Sequence, residues 1–210
     1  MKALLLMDLQ NDFGNFGVLE IKETAKILAI AKQLIDAAYF DCIIATQYAH
    51  TPDHKSFAAN HFFRYPNQIV EIDGIEQRLW AIHCVEGSFG AAFMNDLECS
   101  KLDKVIQRTI DITRPSYSCF DNKNKEKTAL ASYLRQQNIE EVFFLGVNTE
   151  YAIKDSAIDA QELGFKTFLV EDACLAANLD TESDGHKAIL ELQEARVLLL
   201  NSTDLLSALT

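Results

Sequence analysis

Six short apolar runs punctuate the chain: ALLLM (3–7), CIIAT (42–46), KVIQ (104–107), VFFLG (142–146), KTFLV (166–170) and RVLLL (196–200). Each is too short for a buried helix and lacks the strict alternation of a half-exposed strand, so the pattern predicts strands covered on both faces. Between most of them lie segments of helical period, at residues 21–40, 125–138, 149–163 and 183–195. Strands alternating with helices predict an α/β fold, a parallel sheet with helices on both faces. Residues 47–100 break the alternation, mixing His, Pro, Asn, Phe and Gly without sustained period. A long irregular insert in a compact domain is usually functional, because ordering it costs entropy.

Composition narrows this picture. At 210 residues with 49% hydrophobic content, the chain suits a single domain spanning 1–210. No stretch approaches the roughly 20 apolar residues of a membrane span, and the start MKALLLMDLQNDF meets acidic residues too early for a signal peptide. The expectation is a cytoplasmic protein with no membrane partner. A net charge of −12 without a basic stripe disfavours nucleic acid. Five scattered cysteines with no CxxC pair read as reduced thiols rather than a disulfide framework or a cysteine-rich zinc module.

Parallel α/β sheets bind ligands outside the carboxyl ends of their strands, so the residues that follow each apolar run carry the candidate chemistry. After the first run come Asp8, Gln10, Asn11 and Asp12; after the second, Gln47, Tyr48 and His50; after the third, Arg108; after the fourth, GVNTEYA. Thr149 reads as an N-cap, placing Ala152 in the first turn of a helix. A thiol there would be drawn toward thiolate, and free amides could hold an oxyanion. Alanine can supply no nucleophile.

The motifs LLLMDLQNDF, ATQYAHTPDHKSF, WAIHCVEGSFGAAF, RPSYSCF and GVNTEYAIKDSAIDAQELGF, followed by EDAC, run in order along nearly the whole chain. In this the chain resembles the isochorismatase-like superfamily of cysteine hydrolases, which includes nicotinamidases. The resemblance implies a Rossmann-like three-layer αβα fold with a mostly parallel six-stranded sheet. It places Asp8 on the catalytic aspartate, Arg108 on the catalytic lysine and Ala152 on the nucleophilic cysteine. It puts Phe13, Trp80, Tyr117, Val147 and Asn148 around a small, flat substrate. It gives His50, His54 and His83 to the metal site of the nicotinamidase branch, for zinc, iron or manganese, with Tyr48 where that branch has an aspartate. A small-molecule ligand and a homo-oligomer are the partners it implies.

Three readings stay open at this level. One is an amidase whose cysteine has been replaced. Another is a vinyl-ether hydrolase of the isochorismatase type, with Asp8 as general acid and Arg108 gripping a carboxylate. The third is a non-catalytic binder that keeps the scaffold. Cys119, in YSCF, is a weak substitute nucleophile because it lies outside the helix start. His61 and His186 match no motif.

Overall fold

The computed structural model describes residues 1–110, 112, 116–120 and 129–207. Its main sheet has six strands, β1 (Lys2–Met7), β2 (Cys42–Tyr48), β5 (Lys104–Arg108), β6 (Glu141–Val147), β7 (Lys166–Leu175) and β8 (Leu198–Leu200), in the order β5-β2-β1-β6-β7-β8. Every pairing in it is parallel. Strand alternation sorts the core into two halves. Leu4, Leu6, Phe143 and Leu145 face helix α1 (Thr24–Asp36), while Leu5, Met7, Val142 and Phe144 face helices α2 (Ala129–Gln136) and α3 (Lys154–Glu162). Along α1, Ile27, Leu28, Ala31, Leu34 and Ile35 form the buried stripe expected of an amphipathic surface helix. Helix α4 (Asp184–Glu194) joins the second half through Leu192, and α5 (Ser202–Ser207) joins the first through Leu205.

Burial on both faces holds for β1 and β6 at the sheet centre but not at its edges. Of the apolar residues of β5 only Ile106 is buried, and β8 has no buried residue, because an edge strand lacks one neighbour and its helical cover. The irregular insert also contains unexpected order: β3 (Ile69–Ile72) and β4 (Ile75–Arg78) pair as an antiparallel hairpin. Its turn is Asp73-Gly74, both at positive φ (52° and 85°), the backbone that an Asp-Gly hairpin turn requires. The pattern also missed α5. Of the helix expected at 125–138, residues 125–128 lie outside the described residues, and α2 begins at Ala129.

One glycine sets the spacing at the carboxyl end of the sheet. Gly146, at φ 131°, pairs with Met7, and a Cβ there would lie 2.2 Å from the Met7 carbonyl oxygen. Only glycine lets β1 and β6 approach so closely just before Asp8 and Asn148. No helix among the described residues is long and apolar enough to cross a membrane.

Candidate functional site

Asp8 leaves β1 at φ 52°, a left-handed backbone unusual for a residue with a side chain and common at functional sites. The carboxylate is 1% exposed. Its Oδ1 accepts the Thr46 hydroxyl at 2.6 Å, and its Oδ2 pairs with Nη2 of Arg108. Burial raises the Asp8 pKa, against the pull of Arg108 and Thr46. Burial also works against the Arg108 charge, but Asp8 and Tyr48 outweigh it and its pKa is raised. The guanidinium donates a further bond through Nη1 to the Tyr117 carbonyl at 3.0 Å and lies 3.7 Å from the centre of the Tyr48 ring. Asp8 and Arg108 therefore come together as the motifs imply, as a buried ion pair closed off by an aromatic face.

Ala152 is 1% exposed and packs in the core half that contains Met7, Cys119 and Ile153. The turn carrying it differs from the sequence reading, because Asn148, in extended backbone, occupies the cap position and Thr149 is the first residue of a wide π-type turn, Thr149–Ile153. A π turn shifts the hydrogen bonds by one residue, so the Asn148 carbonyl accepts the amides of both Tyr151 and Ile153, at 3.3 and 3.2 Å. Two of the amides flanking Ala152 are thus committed inside the turn. Cys119 is buried with its thiol pushed up to about 12, which holds it protonated and unreactive.

The three histidines converge: His50 lies 5.0 Å from both His54 and His83, ring centre to ring centre. The Nδ1 atom of each is committed within the protein. His54 Nδ1 accepts the Ser56 amide at 3.2 Å, which puts the proton of the neutral ring on Nε2. His83 Nδ1 donates to the Ala81 carbonyl at 2.9 Å, and His50 Nδ1 bonds the Thr109 hydroxyl at 2.6 Å, leaving His50 Nε2 buried without a partner. Tyr48 stacks on His50 at 5.0 Å and 23° and presents a ring where a metal needs an oxygen. Among the described residues, no group of three or more His, Cys, Asp or Glu side chains could hold a metal ion. These residues as arranged do not fit a zinc site, which needs lone pairs converging on one point.

Beyond the ion pair, Phe13, Tyr48, Trp80, His83, Tyr117, Asn148 and Tyr151 line a pocket with about 10 Å³ of room, enough for a single water. Trp80, Tyr117 and Tyr151 meet edge to face, with centres 5.2 to 6.1 Å apart. None of Asp8, Arg108 and Ala152 contributes to this lining, and neither does Val147, which is buried in the core. Trp80 and Asn148 also border an outer cavity of about 420 Å³. The sequence reading missed Leu19, Ile110 and Tyr151 in the pocket wall. Tyr151 lay within the GVNTEYA motif as the neighbour of Ala152, a signal that was available.

Asp12 and Gln10, in the first motif, brace this centre. Asp12 Oδ2 accepts the Cys84 amide at 2.6 Å, fixing the loop that carries His83. Gln10 bonds the Tyr48 backbone twice, accepting its amide and donating to its carbonyl, each at 2.8 Å.

Comparison with known proteins bears on the chain as a whole. The isochorismatase domain family matches residues 2–201. The nicotinamidase of Escherichia coli K12 is 34% identical over 206 residues, covering 97% of this chain and 96% of its own. Among solved structures, a nicotinamidase/pyrazinamidase of Acinetobacter baumanii superposes with a TM-score of 0.87 at 32% identity, covering 97% of each chain. The pyrazinamidase of Pyrococcus horikoshii, solved in complex with zinc, gives 0.72 at 28% identity over 95% of this chain and 98% of its own.

Proposed function

This chain belongs to the isochorismatase family and is nicotinamidase-like, and from that premise we propose that it binds a small, flat, amide-like ligand without hydrolysing it by thiol chemistry. The observation that carries this reading is Ala152, which stands at the nucleophile position with no side chain able to attack a carbonyl. The state of Asp8 supports it: the carboxylate that would take a thiol proton is occupied by Arg108 and Thr46. Arginine does not release a proton near neutral pH, and its planar fork replaces the compact ammonium of a lysine. The aromatic wall of Phe13, Trp80 and Tyr117, with Asn148 at its edge, is retained as the ligand surface. With about 10 Å³ of room, the pocket must widen toward the outer cavity to admit a ring.

A second reading rests on the raised pKa of Asp8. A carboxylic acid held above its usual range is what protonation of a vinyl carbon requires, with water then attacking the oxocarbenium carbon. This route needs no nucleophile at position 152, although Arg108 must first yield Asp8 to the substrate.

The test is ammonia release from nicotinamide and a panel of aromatic amides by the protein and by Ala152→Cys. Neither should release ammonia, because the thiol alone does not free Asp8 from Arg108. Turnover by Ala152→Cys at rates typical of enzymes would show an otherwise intact amidase centre. Isochorismate cleavage that is lost in Asp8→Asn would establish the second reading instead. The same reading takes the protein as a cytoplasmic homo-oligomer, which light scattering on the purified protein checks.

A further inference from the structure

Two of the chain's departures from the family pattern, Tyr48 and Arg108, are direct neighbours in the sheet, paired in register between β2 and β5. They also share a contact surface. The Tyr48 ring carries the Arg108 guanidinium 3.7 Å from its centre and packs against His50 at 5.0 Å. The two hydrogen bonds from Gln10 hold the Tyr48 backbone. Arg108 uses its Nη atoms on Asp8 and the Tyr117 carbonyl, and its buried Nε has no hydrogen-bond partner. For that part of the guanidinium the aromatic face takes the place of solvent.

We infer that Tyr48 and Arg108 are one coupled replacement, in which the Tyr48 ring bars a metal from the histidine cluster and holds the Arg108 guanidinium on Asp8. A carboxylate at position 48 would sit beside Arg108 and compete with Asp8 for it, forming an ion pair rather than a free metal ligand. A lysine at position 108 would lose the planar stack and the fork that reaches Asp8 and Tyr117 together. Each change alone therefore works against the residue left in place. Only both together free an oxygen at position 48 beside the unpartnered Nε2 of His50.

The experiment is zinc titration by calorimetry, with cobalt absorption as a second probe of coordination. It uses EDTA-dialysed wild type, Tyr48→Phe, Tyr48→Asp, Arg108→Lys and the Tyr48→Asp/Arg108→Lys double variant. Wild type, Tyr48→Phe and Arg108→Lys should take up no stoichiometric zinc. The double variant should bind zinc about tenfold more tightly than Tyr48→Asp alone, a coupling typical of residues in contact. Stoichiometric zinc on the wild type, or a double variant no tighter than Tyr48→Asp, would overturn the inference. If Tyr48→Asp fails to fold, thermal melts of Tyr48→Leu, Arg108→Lys and their combination provide a second measure. Destabilisations that simply add would then refute the coupling, whereas a smaller combined loss supports it.

Discussion

The centre around Asp8 and the pocket around Trp80 lie side by side, yet they are built on different terms. Asp8, Arg108, Tyr48 and Thr46 form a closed polar knot in which the acid is paired and the guanidinium is covered by a ring. The pocket of Phe13, Trp80, Tyr117 and Tyr151 is assembled from aromatic edges and faces, and three of its lining residues, Leu19, Trp80 and Asn148, also border an open cavity of about 420 Å³. On the function proposed above, the difference separates reaction from recognition in one fold. Thiol chemistry depends on a few atoms and is lost with one side chain. A binding surface is spread over many weak contacts and persists without it.

Arg108→Met breaks the comparison most severely. Removing the guanidinium leaves Asp8 buried without its cation, and losing one partner of a buried pair costs about 3–5 kcal/mol. Urea unfolding should show this loss, and Asp8→Asn added to Arg108→Met should recover much of it, because no carboxylate charge then remains to be paired. A loss below about 1 kcal/mol, the range of exposed pairs, would mean that solvent reaches Asp8 and that the knot is open.

Acid comes next in size and acts between the two regions. His50 is pushed down to about 2 by burial and by the neighbouring His83, His54 and Arg108, and His83 to about 4, chiefly by burial. An unfolded imidazole titrates near about 6.5. Both rings therefore favour the neutral form in the fold, and their contribution to stability is fully present above that pH. The His83 share is lost progressively as pH falls from about 6.5 toward 4, and the His50 share as it falls further toward 2, because over these ranges the unfolded chain binds more protons. Melting temperature should drop across this window, and His83→Gln should flatten the drop. An unchanged slope in that variant would place the acid sensitivity elsewhere.

Much of this was legible in the chain, for identifiable reasons. The apolar runs at β1 and β6 marked the sheet centre because strands buried on both faces admit few polar residues. Asp8 stood out because it directly follows such a strand, and Ala152 because it lies in the segment that leads from β6 into a helix. The pairing of Tyr48 with Arg108 was hidden, since the two lie 60 positions apart and only the strand register makes them neighbours. The β3–β4 hairpin carried its signal in Asp73-Gly74, but four-residue strands show too little period to stand out from an irregular insert. The π-type turn at Thr149–Ile153 has no compositional mark that separates it from an ordinary helix start.

The smallest effect falls on the pocket side and sharpens the comparison. Tyr151 is half-buried, meeting Trp80 at 5.3 Å and Tyr117 at 5.2 Å, both edge to face. It touches neither Asp8 nor Arg108 in any hydrogen bond or ring contact found among the described residues. Tyr151→Leu keeps apolar volume but removes a ring, so it should weaken nicotinamide binding by about 0.5–1.5 kcal/mol, the value of an aromatic pair beyond its buried area. Calorimetric titration reads this as a several-fold rise in Kd, while the urea midpoint should stay near that of the wild type. Unchanged affinity would mean that the ligand sits outside the aromatic corner. A large loss of stability would mean that Tyr151 is part of the core, and that pocket and knot are less separable than their geometry implies.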